Sequence, residues 1–385
     1  MYDLLIVGCG PAGASLASLV AEEGFKVLVV ERKREIEEPT ICGEFLPDFS
    51  LIRKAFPDEF RPATEFMRKS FYSDEFTLNE TDWVVIDLSG KEKTLNLKGK
   101  IISRKKAVSQ LIGMAKNHGA EVYLSTSYVE SKISNGRVIS LLRGKKKSLE
   151  ESRIVVGADG FPSRVSKSMG LNNTVKSEDL AHVTVQLAEG NYPERSIYMG
   201  FYMDFSPGGY AWVIPRGNGI FSVGVGARDS YGVNLRDCHD KFLRKMGLEG
   251  VGQIFGKALP VGGIFKNIAN SFSLLIGDAA GLVMPVNGGG IPTAAVSSFI
   301  AAMTLKKWFE DPQEASKLFK SSMINCFERT FNVALRARKI VDLLMRHELL
   351  SLLWIIPPGM LRGVIALDKS SFGYKLLDLP SRVPV

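Results

Sequence analysis

The sequence predicts an α/β fold: a Rossmann-like nucleotide-binding domain interrupted by a mainly antiparallel β domain, with helices at the C-terminus. Three observations predict it. The chain opens on an apolar run, a glycine turn, a helical pattern, a second apolar run and an acid. Two later apolar runs end on aspartates, Asp159 and Asp278. Residues 66–100 and 171–260 read instead as alternating strands with turns, as in Ile197-Tyr198-Met199-Gly200-Phe201.

The opening element is a dinucleotide fingerprint in its full context. Tyr2–Val7 is the first strand, Gly8-Cys9-Gly10-Pro11-Ala12-Gly13 the turn, and Ala14, Ala17, Leu19 and Val20 the helical pattern that Gly24 ends. Lys26 to Val30 is the second strand, closed by Glu31 and Arg32. Gly8 permits the tight turn, Gly10 lets backbone approach a pyrophosphate, and Gly13 lets helix and strand pack closely. Pro11 and Ala12 open the helix whose N-terminus carries the phosphates. Glu31, 18 residues past Gly13, is placed to accept hydrogen bonds from the adenosine ribose, and its charge disfavours a 2′-phosphate.

The run Ser273 to Ile276 reads as a strand delivering Asp278 to its end. Gly288, Gly289 and Gly290 then lead into a helix opened by Ile291 and Pro292. The glycines let a flat ring lie on bare backbone, and the helix N-terminus directs unpaired amides and partial positive charge at it. A reduced flavin is anionic along its N1–C2 edge, so FAD is the expected dinucleotide. A single fingerprint, at the start of the chain, argues against a permanent second NAD(P) domain. Residues 295–347 read as helical with a break at Pro312.

These marks together resemble the p-hydroxybenzoate-hydroxylase-like flavoproteins. The resemblance implies that Asp278 holds the ribityl chain, that Asp159 and Gly160 shape the pyrophosphate region, and that Arg104 is an FAD-contacting arginine at a helix head. The acid usual four residues later is replaced by Val108. Expected boundaries are 1–65, 101–170 and 261–310 for the FAD-binding domain, 66–100 and 171–260 for the substrate domain, and 311–385 for a C-terminal helical region.

Two further motifs narrow the resemblance. Thr40-Ile41-Cys42-Gly43-Glu44 follows Glu31 closely, and Pro207-Gly208-Gly209-Tyr210-Ala211-Trp212-Val213-Ile214-Pro215 lies in the β domain. With the triple glycine, they resemble archaeal geranylgeranyl reductases, which saturate prenyl chains of ether-linked membrane lipids. Tyr210 and Trp212 alternate along a strand and share a face, so the resemblance makes them walls of a prenyl channel. An isolated trisubstituted alkene has no carbonyl to polarise it. A proton must reach one carbon as hydride reaches the other, and Cys42, beside Gly43, or a water that Cys42 holds, is the expected catalytic donor. Glu44 either orients Cys42 or a water, or lies on the surface. The resemblance also implies an external reductant, NAD(P)H or a ferredoxin, and a geranylgeranylated lipid as substrate.

Composition bounds the rest. At 385 residues and 45% hydrophobic content the chain can bury a large core. Four scattered cysteines and four histidines offer no metal-ligand spacing, so no metal is expected. A strand starting at Tyr2 leaves no room for a targeting peptide, which makes the cytoplasm the expected compartment. Net charge is +8, concentrated in Lys91 to Lys106 and in Arg143 to Lys147; the second run reads as a hairpin loop or an anion-attracting surface. No nucleic-acid-binding motif is present. The apolar stretch Leu349 to Leu361 is interrupted by Pro357-Pro358-Gly359, too early for a bilayer span. It either packs on the core or forms a patch that makes peripheral contact with the inner membrane face or walls a lipid tunnel. The alternative activity on this fold is a flavin monooxygenase or halogenase, since Tyr210-Ala211-Trp212-Val213-Ile214-Pro215 is close to a halogenase motif. Lys69 lacks the glycine-flanked context that chemistry needs.

Overall fold

The structure, a computed structural model, describes residues 1–145 and 147–379. Lys146 of the basic run and the last six residues of the expected C-terminal region lie outside the described residues.

The first sheet is built on strands that are apolar on both faces, as an interior parallel strand must be. Tyr2–Val7 pairs in parallel with Val27–Val30 (Leu4 opposite Val27) and with Lys147–Gly157 (Leu4 opposite Ile154). Ser273–Leu275 adds in parallel on the far side of Lys147–Gly157, and Glu121–Tyr123 on the far side of Val27–Val30. The Gly8–Gly13 turn, Asp159 and Asp278 therefore all leave the same carboxyl edge, where open α/β sheets hold their ligands. The helices Pro11–Glu22, Arg104–Asn117 and Ile291–Glu310 cover this sheet, the first packing against both others. The hairpin Ser127–Ser134 and Arg137–Arg143 extends it antiparallel, and the described residues of the basic run, Arg143, Lys145 and Lys147, lie where Arg137–Arg143 passes into Lys147–Gly157.

The second sheet has eight strands, from Glu249–Pro260 at one edge to Phe45–Pro47 at the other. All pairs are antiparallel except Ser196–Phe201 on Thr77–Leu88. Phe45–Pro47 lies in a stretch expected to belong wholly to the first domain. It carries the chain from Glu31 across to the second sheet and so strings the Cys42 loop between the two.

Two helices stand where strands were expected. Arg61–Phe71 runs across the expected boundary at residue 66, and Leu235–Met246 interrupts the second β stretch. Their buried positions explain this: Ala63, Met67, Ser70 and Phe71 in one, Cys238, Phe242 and Leu243 in the other, follow the helical repeat.

Ile291–Glu310 and Pro312–Arg346 meet at the expected break, where Asp311 Oδ1 accepts from Gln313 N (3.1 Å) and Glu314 N (3.0 Å). The Leu349 to Leu361 stretch forms a short 3₁₀ turn, Leu350–Ile355, and the start of the helix Pro358–Ile365. It is tied to strand Glu92–Ile102 by Trp354 Nε1 donating to Glu92 O (3.2 Å) and Lys93 Nζ donating to Ile356 O (2.5 Å). Among the described residues no helix is long and apolar enough to cross a membrane.

Candidate active site

The nucleotide turn is as tight as backbone atoms allow. A Cβ at Gly8, whose φ is +100°, would stand 2.3 Å from Ala158 O, and one at Gly13 would stand 1.9 Å from Gly8 O. No side chain caps the helix that follows, so its first amides face outward unpaired. Glu31 Oε2 accepts from Cys9 N and Oε1 from Lys33 N, both at 2.9 Å, which holds the carboxylate against the turn. Arg32 is exposed. Cys9 is buried, and burial pushes its thiol well above the ordinary range, so it is an inert packing group.

Arg104 opens the helix Arg104–Asn117, as expected, and its guanidinium is buried against Glu37, with Nε donating to Glu37 Oε2 at 3.0 Å. Arg104 thus has a buried acidic partner in Glu37, which sequence reasoning missed. Glu37 sits at positive φ and is buried beside Gly10, where an added Cβ would come within 3.3 Å of its Oε1. Its only signal is membership of an acidic run that looks solvent-exposed. Asp159 accepts from Ser163 Oγ (2.7 Å) and Arg164 N (2.7 Å), capping the helix Arg164–Ser168; burial raises its pKa. It fixes the loop after Gly157, while Gly160 at φ +74° faces open space.

The residues expected at the flavin end converge. Gly290 ends the triple glycine at the uncapped N-terminus of Ile291–Glu310, and a Cβ there would lie 3.1 Å from Asp278 Oδ1. Asp278 Oδ2 lies 3.3 Å from Lys257 Nζ on the second sheet, a partner the sequence did not reveal. Tyr210 donates its phenol to Asn287 O at 2.6 Å, next to Gly288. Burial, with the Cys42 sulfur nearby, holds that phenol above its ordinary pKa, so it remains a neutral donor. The Tyr210 and Trp212 rings pack at a tilt of 55°, with centroids 5.7 Å apart. Trp212 Nε1 is buried with no acceptor among the described residues.

The Cys42 loop closes the same space. A Cβ at Gly43 would stand 2.5 Å from Ile214 Cδ1 and 3.5 Å from Trp212 Nε1, so glycine lets the loop pass over that strand without displacing the Ile214 side chain. Cys42 Sγ accepts the Glu44 amide at 3.3 Å, which aims the partly exposed thiol. The surface option for Glu44 is excluded: it is 2% exposed, accepts from Arg104 N at 2.7 Å and pairs with Arg216. Cys42, Gly43, Tyr210, Trp212 and Gly288 to Ile291 line one cavity of about 450 Å³. Its far walls are apolar, with Val84, Ile86, Ile197 and Met199 from the second sheet and Leu361 and Ile365 from the C-terminal helices. Lys69 is exposed on the helix Arg61–Phe71 and is not among the lining residues.

Two uncapped helix N-termini, glycines that cradle bare backbone, and Glu31 against the turn fit an FAD reaching from the Gly8–Gly13 turn to the triple glycine. Fold and site together define an FAD-dependent oxidoreductase with a long apolar substrate cavity. The comparisons agree. Residues 1–40 match the FAD binding domain family and residues 181–255 the geranylgeranyl reductase catalytic domain. A digeranylgeranylglycerophospholipid reductase of Methanocella arvoryzae is 31% identical over 312 residues, 78% of this chain and 76% of that protein. A second, from Methanopyrus kandleri, is 29% identical over 90% of this chain and 88% of its own length. The chain belongs to the digeranylgeranylglycerophospholipid reductase family. In structure it is similar to a geranylgeranyl bacteriochlorophyll reductase-like protein of Thermoplasma acidophilum, with a TM-score of 0.82, 24% identity, and 98% and 95% of the two chains covered. A flavin-dependent brominase (TM-score 0.68, 16% identity, 98% and 97% covered) shares the fold alone.

Proposed function

We propose that the cavity between the Cys42 loop and the C-terminal helices is where a geranylgeranyl chain of an archaeal ether-lipid precursor is saturated. The observation that carries this is the continuity of one cavity from the triple glycine and Tyr210 to an apolar wall with few polar atoms. The FAD held by the two helix N-termini supplies, when reduced, a hydride for the alkene. The protein's own part is to bind the chain, exclude water and deliver the proton. Val84, Ile86, Ile197 and Met199 replace water around the chain. Tyr210 and Trp212 present ring faces where cation-like carbon develops. Cys42 Sγ holds the proton, oriented by the Glu44 amide, with Glu44 anchored by Arg216. Asp278 and Gly288 to Ile291 hold the ribityl and N1–C2 ends, and Glu31 with the Gly8–Gly13 turn holds the adenosine half. Electrons enter from outside, from NAD(P)H or a ferredoxin; flavin reduction rates with each donor decide between them.

Peripheral contact with a bilayer belongs to the same reading. Leu349, Leu352, Trp354, Ile355 and Phe372 are 46–76% exposed. Ile340 and Leu376 are both exposed and part of the cavity wall, so the exposed apolar patch is continuous with the cavity. Residues 329–379 carry eight Lys and Arg against four Asp and Glu, a balance suited to anionic lipid on the cytoplasmic face.

The test of the function is anaerobic. Photoreduced holoprotein mixed with a digeranylgeranyl phospholipid should reoxidise, and the lipid mass should rise in two-hydrogen steps. Flavin that reoxidises only with oxygen, giving oxygenated or halogenated product, overturns the reading in favour of a monooxygenase or halogenase.

A further inference from the structure

One side chain in the cavity has no role in alkene chemistry. Arg228 ends the strand Ile220–Arg228, on the face it shares with Gly226 and Gly224. It lines the cavity and is only 7% exposed. A guanidinium buried in an apolar wall has lost its water and needs acceptors in exchange. The structure supplies one hydrogen bond, Nη2 to Asp342 Oδ1 at 3.2 Å, and Nε has no acceptor among the described residues.

Asp342 is shared rather than dedicated. Its Oδ2 lies 3.5 Å from Arg338 Nε, and Arg338 lines the cavity at 6% exposure. Arg338 is held by Asp179 Oδ1 and Val261 O, both at 2.6 Å. Burial lowers the pKa of Arg228 and raises that of Asp342, the directions expected of charges short of polar partners. The remaining cation on this wall, Lys257, faces Asp278.

The sheet register puts this cluster at a useful distance from the flavin end. Gly226 and Lys257 are both opposite Val183, whereas Arg228 is opposite Ala181. Measured along the strands, Arg228 thus lies one two-residue step, about 7 Å, beyond the row from which Lys257 reaches Asp278. From there a chain can run past Lys257 toward Val185.

We propose that Arg228, backed by Arg338, is the docking point for the phosphate of the lipid head group. The proposal rests on the reading of this cavity as the prenyl site. A phosphate brings several anionic acceptors to a guanidinium that has one, while Asp342 stays with Nη2 and with Arg338. The head group so held fixes where along the prenyl chain the flavin end acts.

The experiment compares two substrates and three forms of the FAD-loaded enzyme. The substrates are a digeranylgeranylglycerol phosphate and the dephosphorylated alcohol; the forms are wild type, Arg228→Gln and Arg228→Gln/Asp342→Asn. The double variant removes both charges, so no unpaired Asp342 is left buried if the single variant folds poorly. Wild type should favour the phosphate lipid in KM. In the variants its KM should rise about 10–150-fold, the range for hydrogen bonds to a charged group, and the preference over the alcohol should collapse to within about threefold. A purely structural role would raise both KM values together and leave the preference intact, which overturns the proposal. A wild type that uses both lipids equally well also overturns it while leaving the reductase reading standing; turnover of neither lipid removes both. Inorganic phosphate up to millimolar concentration should not compete with the phosphate lipid. Competition that Arg228→Gln relieves would assign the site to the free anion and overturn head-group docking.

Discussion

The glycine end of the site and the C-terminal end of the cavity are built by different rules. At the glycine end the limits are backbone atoms for Gly8 (Ala158 O) and Gly13 (Gly8 O), and the Asp278 carboxylate, more loosely, for Gly290. At the C-terminal end the wall itself is a set of apolar side chains, Leu353, Leu361 and Ile365 among them, and the close approaches there join one short helix to the next: a Cβ at Gly373 would stand 2.5 Å from Met360 O and one at Gly363 2.0 Å from Ser371 Oγ. A backbone clash cannot be relieved by repacking, whereas an apolar wall tolerates exchange if volume is kept. Identity matters at one end and summed volume at the other.

The sharpest way to test that contrast is Cys42→Ala, which changes chemistry at the flavin end with little change in packing. FAD content and photoreduction should persist while lipid saturation falls about 10²–10⁴-fold, the usual contribution of a general acid. Stopped-flow reoxidation by lipid measures this, and Cys42→Ser should fall between. A near-wild-type rate for Cys42→Ala would make the thiol a packing group.

Next in size is the cofactor hold. Gly13→Ala places a Cβ where Gly8 O stands, so the purified protein should be nearly colourless and recover little flavin absorbance on titration with FAD. Asp278→Ala should weaken FAD about 5–150-fold, from buried partners left unpaired at about 1–3 kcal/mol. Glu31→Ala should act through the turn as well as the ribose, since Glu31 also holds Cys9 N. Wild-type flavin affinity in all three would collapse the distinction between the two ends.

Leu361→Trp overfills the far wall. Overpacking of about 1–3 kcal/mol should slow a C20 chain about 5–150-fold relative to a C10 chain while leaving FAD content alone. Equal slowing of both lengths would mean that chains do not reach Leu361.

The smallest effect is expected on the outer face. Ile355→Ser with Leu352→Ser should reduce sedimentation with anionic vesicles about tenfold, with turnover of detergent-solubilised lipid changed less than threefold. Vesicle binding that survives both substitutions would move the bilayer contact elsewhere.

Legibility followed the same division. The Gly8–Gly13 turn, the Asp278 strand end, the helix opened at Ile291 and the break at Pro312 were all readable, because each is a local pattern whose geometry demands particular residues. The Arg61–Phe71 and Leu235–Met246 helices were masked by long neighbouring strands. Glu37 looked like part of a solvated acidic run and is instead the buried partner of Arg104. Glu44 was ambiguous in sequence; the fold buries it between Arg104 N and Arg216.

By itself the sequence determined the local geometry of three segments: the Gly8–Gly13 turn, the helix that opens after the triple glycine and the Cys42-Gly43 loop, each specified within some twenty residues. The tertiary structure alone decided how Cys42, Tyr210 and Gly288 come to share one cavity, and that Arg228, Arg338 and Asp342 meet in its wall. Those residues come from segments far apart in the chain. Apolar and charged residues are interchangeable in pattern, so their meeting is set by sheet register and helix packing rather than by any local motif.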